Sequence, residues 1–213
     1  MNRDWLVRLV IVVLILSVPL PALAGDRGFV GGLGGVTFGT AASGSLAGSV
    51  GVSVSPFVQV FGEFGRMRNT LPSDENTALE ANAAAAAAAL GSTDTPVILG
   101  NLPVFYGMGG VRLKARSGNV TPFGEAAVGF GHITSTLVAT LDGQDISSQV
   151  FTTPLTSNLP QTQLMEAFGG GVTIAAGKQA AVDIGYRYSH IGTENGATPI
   201  NTSSVYGALH FKF

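Results

Sequence analysis

The final residues alternate without a break. Val205, Gly207, Leu209, Phe211 and Phe213 fall on one face of an extended strand, and Tyr206, Ala208, His210 and Lys212 fall on the other. The same period of two recurs upstream. Residues 28–38, GFVGGLGGVTF, read as a glycine-rich first strand, and residues 45–55 set Leu46, Gly48, Val50, Val52 and Val54 against Ala47, Ser49, Gly51 and Ser53. After Ser55-Pro56, residues 57–67 set Val58, Val60, Gly62 and Phe64 against Gln59, Phe61, Glu63 and Gly65, so one face there is mixed. Two further hairpins pair 104–114 with 122–134 and 164–175 with 180–190. Their apolar faces carry Val111, Leu113, Val128 and Phe130 in one, and Phe168, Val172, Ile174, Val182, Ile184, Tyr186 and Tyr188 in the other.

These segments predict eight strands. Three short turns, near residues 56, 117 and 177, alternate with four longer connections at about 39–44, 69–103, 140–161 and 192–203. Short turns on one side, long loops on the other and an apolar face on every strand predict an all-β fold, an eight-stranded antiparallel transmembrane β-barrel. An aromatic carboxyl terminus fits that setting. In hydrocarbon every backbone polar group needs a partner, so the last strand closes against the first and shows lipid an apolar outer face. Val205, Leu209, Phe211 and Phe213 are the expected lipid-facing residues of this closing strand. A soluble eight-stranded barrel has the same period with the faces exchanged. The choice rests on content: the faces that would meet water are mostly Gly, Ser and Ala, with few charges.

Composition sharpens this. The 213 residues are 46% hydrophobic and 11% charged, with 30 glycines, no cysteine and a formal net charge of -2. Disulfide frameworks, thiolate metal sites and cysteine nucleophiles are excluded, and there is no basic footprint for nucleic acid. The amino-terminal stretch has Arg3 and Arg8, an apolar run from Leu9 to Val18, Pro19 and Pro21, and Ala22-Leu23-Ala24. This three-part pattern predicts a signal peptide over residues 1–24 and a barrel domain over 25–213. Its apolar run falls short of the ~20 residues a spanning helix needs.

The segments GGVRLK, TPFGEAAVGFG, VDIGYRYSHIG and the closing VYGALHFKF resemble blocks of the OmpA-like and opacity-type small outer-membrane barrels of Gram-negative bacteria. The resemblance implies residence in the bacterial outer membrane with both termini periplasmic. It implies contact with outer-membrane lipid and lipopolysaccharide, and a terminal strand read by the barrel-insertion machinery during assembly. It also implies a monomer whose long loops meet an extracellular ligand. Because the chain stops at the last residue of the expected barrel, no peptidoglycan-binding domain and no cell-wall anchoring role are expected. The function expected is structural or adhesion-like surface interaction, non-enzymatic and without cofactors; the alternatives are a small-solute channel and a lipid A-modifying hydrolase. The lipid A deacylases, which are similar barrels, carry an outward His-x-Ser near the loop side of the seventh strand. Here His190 matches, but Gly192 stands at the nucleophile position and the following strand has no acidic residue. Ser189 lies on the opposite face from His190, and pairing across the turn near 177 brings Glu166 close to His190.

An eight-stranded lumen is just wide enough to be filled by side chains. Glu63, Arg112, Lys114, Glu125, Asp183, Arg187 and Lys212 share the inward parity, and Arg112 and Glu125 fall close in register across the turn near 117. Buried charges are costly unless paired, so an interior charge network is expected. The glycine clusters at 31–35 and 169–171 lack phosphate-loop spacing and suit strand curvature. The three histidines, His132, His190 and His210, have no metal-ligand spacing: His210 is expected in the lumen and the other two at the outer rim. The long second loop holds TALEANAAAAAAALG, in which Thr77 with Glu80 suggests a capping box and Gly91 a helix stop. Two readings stay open: a short Ala-rich helix over or beyond the barrel mouth, and a low-complexity insert without fixed structure.

Overall fold

The computed structural model describes residues 28–38, 42–71, 73–115, 118–134, 136–150, 161–192 and 199–213. The expected signal segment, residues 1–24, lies outside the described residues. The strands are β1 (Gly28–Phe38), β2 (Ser43–Ser53), β3 (Val58–Met67), β4 (Val97–Asn101), β5 (Val104–Lys114), β6 (Val120–Ile133), β7 (Thr136–Leu141), β8 (Gln144–Asp145), β9 (Gln161–Ala175), β10 (Ala180–Ile191) and β11 (Ile200–Lys212). Helix α1 (Ser73–Ala89) precedes β4, and the single turn α2 (Ser147–Val150) follows β8.

Eight of these strands close an antiparallel barrel in the order β1-β11-β10-β9-β6-β5-β3-β2. The seam is β1 against β11, running in register from Phe29↔Lys212 to Phe38↔Ser203. Gly28 and Phe213 extend it by exchanging two backbone hydrogen bonds of 3.0 Å. No described helix is long and apolar enough to cross a membrane, and a closed barrel crosses with strands whose backbone groups pair with one another. The strands, 10 to 15 residues long, are long enough for tilted passage through a bilayer core.

Alternation decides which side chains face which medium. Val205, Leu209, Phe211 and Phe213 are all exposed on the outer wall, with Val111, Leu113, Val128, Phe130, Ile184 and Tyr186 around the same band. The opposite parity turns Phe29, Leu33, Phe61, Tyr106, Met108, Phe123 and Tyr206 into the lumen. The mixed face of β3 is resolved by this arrangement: Phe61 is an interior residue, 5% exposed.

The lumen has two sections. Towards the long loops, Met67, Leu71, Leu102, Val104, Ile133, Met165, Ile191 and Ile200 form an apolar plug. Towards the short turns the interior is charged. Above the plug stands a cap the sequence pattern did not reveal, a three-stranded sheet in the order β4-β7-β8. Its tight β7–β8 turn uses Asp142 (φ 50°) and Gly143 (φ 75°), the left-handed pair that a two-residue hairpin favours.

Helix α1 ties cap to barrel. Leu79 joins the apolar plug, and Ala83 and Ala87, four and eight residues on, pack with Ala139, Leu141, Ile146 and Val150 of the cap. Spacing of four keeps all three on one helix face. Gly91, at φ 75°, ends the helical path as expected, and the Ser92 amide donates back to the Ala87 carbonyl at 3.1 Å. The start differs from the capping box expected at Thr77. The helix begins a turn earlier, so the Thr77 hydroxyl donates to the Ser73 carbonyl at 2.9 Å, and Glu80 accepts from Asn76 at 2.7 Å. A threonine hydroxyl bonds the carbonyl four residues back as readily as it caps, which is why the motif misplaced the boundary.

Candidate functional site

Two arginines organise the charged section. Arg112 on β5 stands directly opposite Glu125 on β6, and its Nε and Nη2 donate to Glu125 Oε2 at 3.1 and 2.8 Å. Its remaining fork reaches across the lumen, where Nη1 donates to Asp183 Oδ2 on β10 at 2.5 Å. Arg187 on β10 donates to both oxygens of Glu63 on β3, at 2.5 and 3.0 Å. Its Nε and Nη2 also meet Glu125 Oε1 at 3.1 and 2.7 Å. Glu125 is therefore the hub between the two guanidinium forks, whose planar donors suit such two-sided pairing.

Aromatic side chains complete the belt. Tyr106 donates to Glu63 Oε1 at 2.8 Å and Tyr206 to Glu125 Oε1 at 3.0 Å. The Arg112 guanidinium lies 4.1 Å from the Phe123 ring centroid and 5.8 Å from that of Phe61, and Arg187 lies 5.1 Å from the Tyr206 ring. Two glycines make room for the tyrosines. A Cβ on Gly65 would sit 2.6 Å from the Tyr106 hydroxyl oxygen, and one on Gly185 would sit 2.6 Å from Tyr206 Cζ. Glu63 and Asp183 are 2% and 0% exposed, so these pairs are shielded from bulk solvent.

The seven charged residues of inward parity do not all meet. Glu63, Arg112, Glu125, Asp183 and Arg187 come together, whereas Lys114 and Lys212, at the turn ends of their strands, form no ion pair among the described residues. Lys114 is half-buried and Lys212 is exposed. His210 does enter the lumen, edge-on to Phe29, and its Nε2 stands 2.9 Å from Asp183 Oδ2 but outside hydrogen-bonding alignment. Tyr106 and Tyr206 were absent from the sequence-based set although they share its parity. Parity could have found them, but a period of two ranks no residue above its neighbours.

The histidines of the outer rim have ordinary partners. His132 Nδ1 lies 2.9 Å from the Thr162 hydroxyl, and His190 Nδ1 lies 2.7 Å from Asn201 Oδ1. Glu166 is the cross-strand neighbour of His190, yet the ring contacts the amide of Asn201. Tyr188 donates to the same amide oxygen at 2.8 Å, and Tyr186 shares a 2.7 Å hydrogen bond with Ser203. No group of three or more His, Cys, Asp or Glu side chains with metal-binding geometry occurs among the described residues.

In the cap, two carboxyls differ in environment. The protonated Asp142 carboxyl donates a hydrogen bond to the Asp94 carboxylate, and that bond, with the Asp94 charge, raises Asp142 above the ordinary range, while the Ser147 hydroxyl and amide lower that of Asp145.

No protein-family model matches the chain, and no curated protein matches it by sequence. Solved structures do match. The crystal structure of Neisserial surface protein A aligns with a TM-score of 0.55 at 14% identity, covering 89% of this chain and 98% of that one. The solution structure of outer membrane protein H (OprH) from P. aeruginosa aligns with a TM-score of 0.51 at 14% identity, covering 88% and 99%. The outer membrane enzyme PagL aligns at a TM-score of 0.45 and 10% identity, covering 87% and 99%, too distant to bear on chemistry. The fold is thus that of the small eight-stranded outer-membrane β-barrels.

Proposed function

We propose that this chain is a surface barrel of the bacterial outer membrane, non-enzymatic and closed to solutes, whose loop cap is its contact surface. Residues 1–24 are removed as a signal peptide, and both termini face the periplasm. The observation that carries this reading is the filled lumen. Arg112, Glu125, Arg187, Glu63 and Asp183 tie β3, β5, β6 and β10 together across it, and the apolar plug seals the loop side. With the interior occupied, the cap and the outer wall remain as the surfaces available for function. Loops borne on a rigid scaffold are where binding residues concentrate.

A catalytic reading lacks support. Glu63 and Glu125 each accept through both oxygens, so neither is poised as a free base, and His190 has an amide rather than a carboxylate partner. The test has two arms. Fractionated cells should hold the protein in the outer membrane, with a heat-modifiable gel mobility that marks an intact barrel. In planar bilayers the purified protein should show no stable large conductance. A stable large open state would overturn the closed-barrel reading, and accumulation in the soluble periplasmic fraction would overturn the membrane reading itself.

A further inference from the structure

The outer wall carries one cation and one anion. Among the described barrel strands, Arg66 on β3 is the single Lys or Arg of outward parity and Glu166 on β9 the single Asp or Glu. Both are exposed, and neither forms an ion pair among the described residues. Arg66 lies over the Phe105 ring at 4.9 Å, and Glu166 stands beside His190, whose ring turns to Asn201 instead. A charge on a lipid-facing wall is costly unless it is paired, and marks a site for that reason. Strands β5 and β6 separate β3 from β9, so the two side chains point to different sides of the barrel and do not meet within one chain.

Register puts the two charges at one height. A row of cross-strand neighbours that leaves β9 at Val172 passes through Arg66 and returns to β9 at Thr162, ten residues nearer the loops. Rows therefore climb as they circle. With strands ~4.8 Å apart and tilted ~40°, the three steps from Arg66 through Phe105 and His132 to Thr162 rise about 9 Å. Glu166 lies four residues back down β9, a fall of about 10 Å at ~3.3 Å per residue. Arg66 and Glu166 thus stand level, and copies inserted in the same direction present one to the other without vertical offset. Shape agrees with charge. Below Arg66 the wall is hollow: a trough of about 1180 Å³ runs across β2, β3, β5 and β6, and a Cβ on Gly48 would meet nothing nearer than the Gly31 carbonyl oxygen at 3.9 Å. Below Glu166 the wall is raised by Phe168, 55% exposed. Phe168 lies two residues below Glu166 as Phe64 lies two below Arg66, and Gly48 is the cross-strand neighbour of Phe64, so ring and hollow match in height to about 3 Å.

We infer that copies of this chain associate side by side in the membrane, Glu166 of one pairing with Arg66 of the next and Phe168 seating in the trough at Gly48. The two surfaces differ, so the contact is head-to-tail and extends into rows or rings instead of closing a two-fold dimer. Arg68, exposed two residues beyond Arg66, adds to the positive field that meets the carboxylate. An anionic headgroup answers the arginine and is repelled by Glu166, whereas a second copy supplies a partner to both. Bare backbone at Gly48 and Gly107 lets the neighbouring wall approach closely, as small residues do between membrane-spanning elements. One ion pair and one ring hold the contact, so detergent, which coats both walls, returns the monomer that the resemblance implies. The inference rests on the membrane reading, with every copy inserted alike.

The chain has no cysteine, so single ones can be placed for labelling and cross-linking. Full-length mature protein carrying Lys178→Cys at an exposed turn, labelled with a donor or an acceptor dye, is refolded into phosphatidylcholine vesicles at a fixed low protein-to-lipid ratio, and energy transfer between copies is read. Chains with wild-type walls should give more transfer than randomly placed barrels. R66E and E166R should each lower the association constant about tenfold, and the double swap R66E/E166R, which restores opposite charges, should recover most of it. Heat-modifiable mobility checks that each variant is folded. Independently, chains bearing Gly48→Cys and chains bearing Phe168→Cys should form an oxidised dimer when mixed and not alone. Random transfer with wild-type walls, transfer insensitive to R66E or E166R, a folded double swap that recovers nothing, or cross-linking of Gly48→Cys with itself as efficient as in the mixture would each overturn the inference, return both walls to lipid and leave the barrel reading standing. Failure of the wild type to insert would overturn both.

Discussion

The two halves of the lumen close the same pore by different physics. On the turn side, two arginines and three carboxylates fill the space, and the solution holds only while each charge keeps its partners. On the loop side, Val104, Ile133, Met165 and Ile191, each 2% exposed or less, fill it by shape alone. The charged half is directional: Glu125 serves both guanidinium groups, so one side chain couples β5, β6 and β10. The apolar half is distributed, with no residue indispensable to another. Deletion should therefore be costly and cooperative in the first half, modest and local in the second.

The largest effect is expected at the hub. Glu125→Ala leaves both guanidinium groups short of a partner in a filled, buried lumen, and should destabilise the barrel by about 3–5 kcal/mol in urea unfolding from lipid vesicles. Glu125→Gln keeps the shape and should recover part of that loss. An Ala variant as stable as wild type would show that water reaches the belt and that the two halves do not differ.

Next comes the space that serves the belt. Gly185→Ala places a methyl group 2.6 Å from Tyr206 Cζ, which forces the ring away from Glu125. A cost of about 1–3 kcal/mol is expected, typical of overpacking. The further substitution Tyr206→Leu should relieve much of it, and a double-mutant cycle with no coupling would count against the role given to Gly185.

A smaller loss should follow in the apolar half. Ile191→Val removes one methylene from a fully buried side chain and should cost about 0.5–1.5 kcal/mol, without altering the coupling measured between Glu125 and Arg187. Coupling that changed by a similar amount would join the two halves into one unit.

The smallest effect separates the cap from the barrel. Asp142, raised by Asp94, binds its proton more readily in the folded cap, so its contribution is full at low pH and fades as pH rises through the raised folded value. Asp145, lowered by Ser147, contributes above the unfolded carboxylate range and loses that contribution as pH falls through its lowered folded value. Carboxyl NMR titration should give Asp142 a higher midpoint than Asp145. Asp94→Asn should lower the first and leave the second in place; movement of both would mean that the cap titrates as a whole.

The strands were legible because alternation is local and the bilayer asks the same of every strand. Val205, Leu209, Phe211 and Phe213 declare their face without reference to any distant residue. The cap was less legible. Its Asp142-Gly143 turn is a strong hairpin signal in short range, but β8 has two residues, too few for a period to show, and the helix boundary turned on which of two bonds Thr77 would make. Within the lumen, the Arg112–Glu125 pair spans one hairpin and 13 residues, so register across a short turn was enough to suggest it. Arg187 and Glu63 stand 124 residues apart, and their meeting depends on how the sheet closes. Parity alone gave Lys114 and Lys212 the same standing as the arginines. Which charges meet across the lumen is set by the stagger and tilt of the closed barrel, a property of all eight strands together that no stretch of sequence carries.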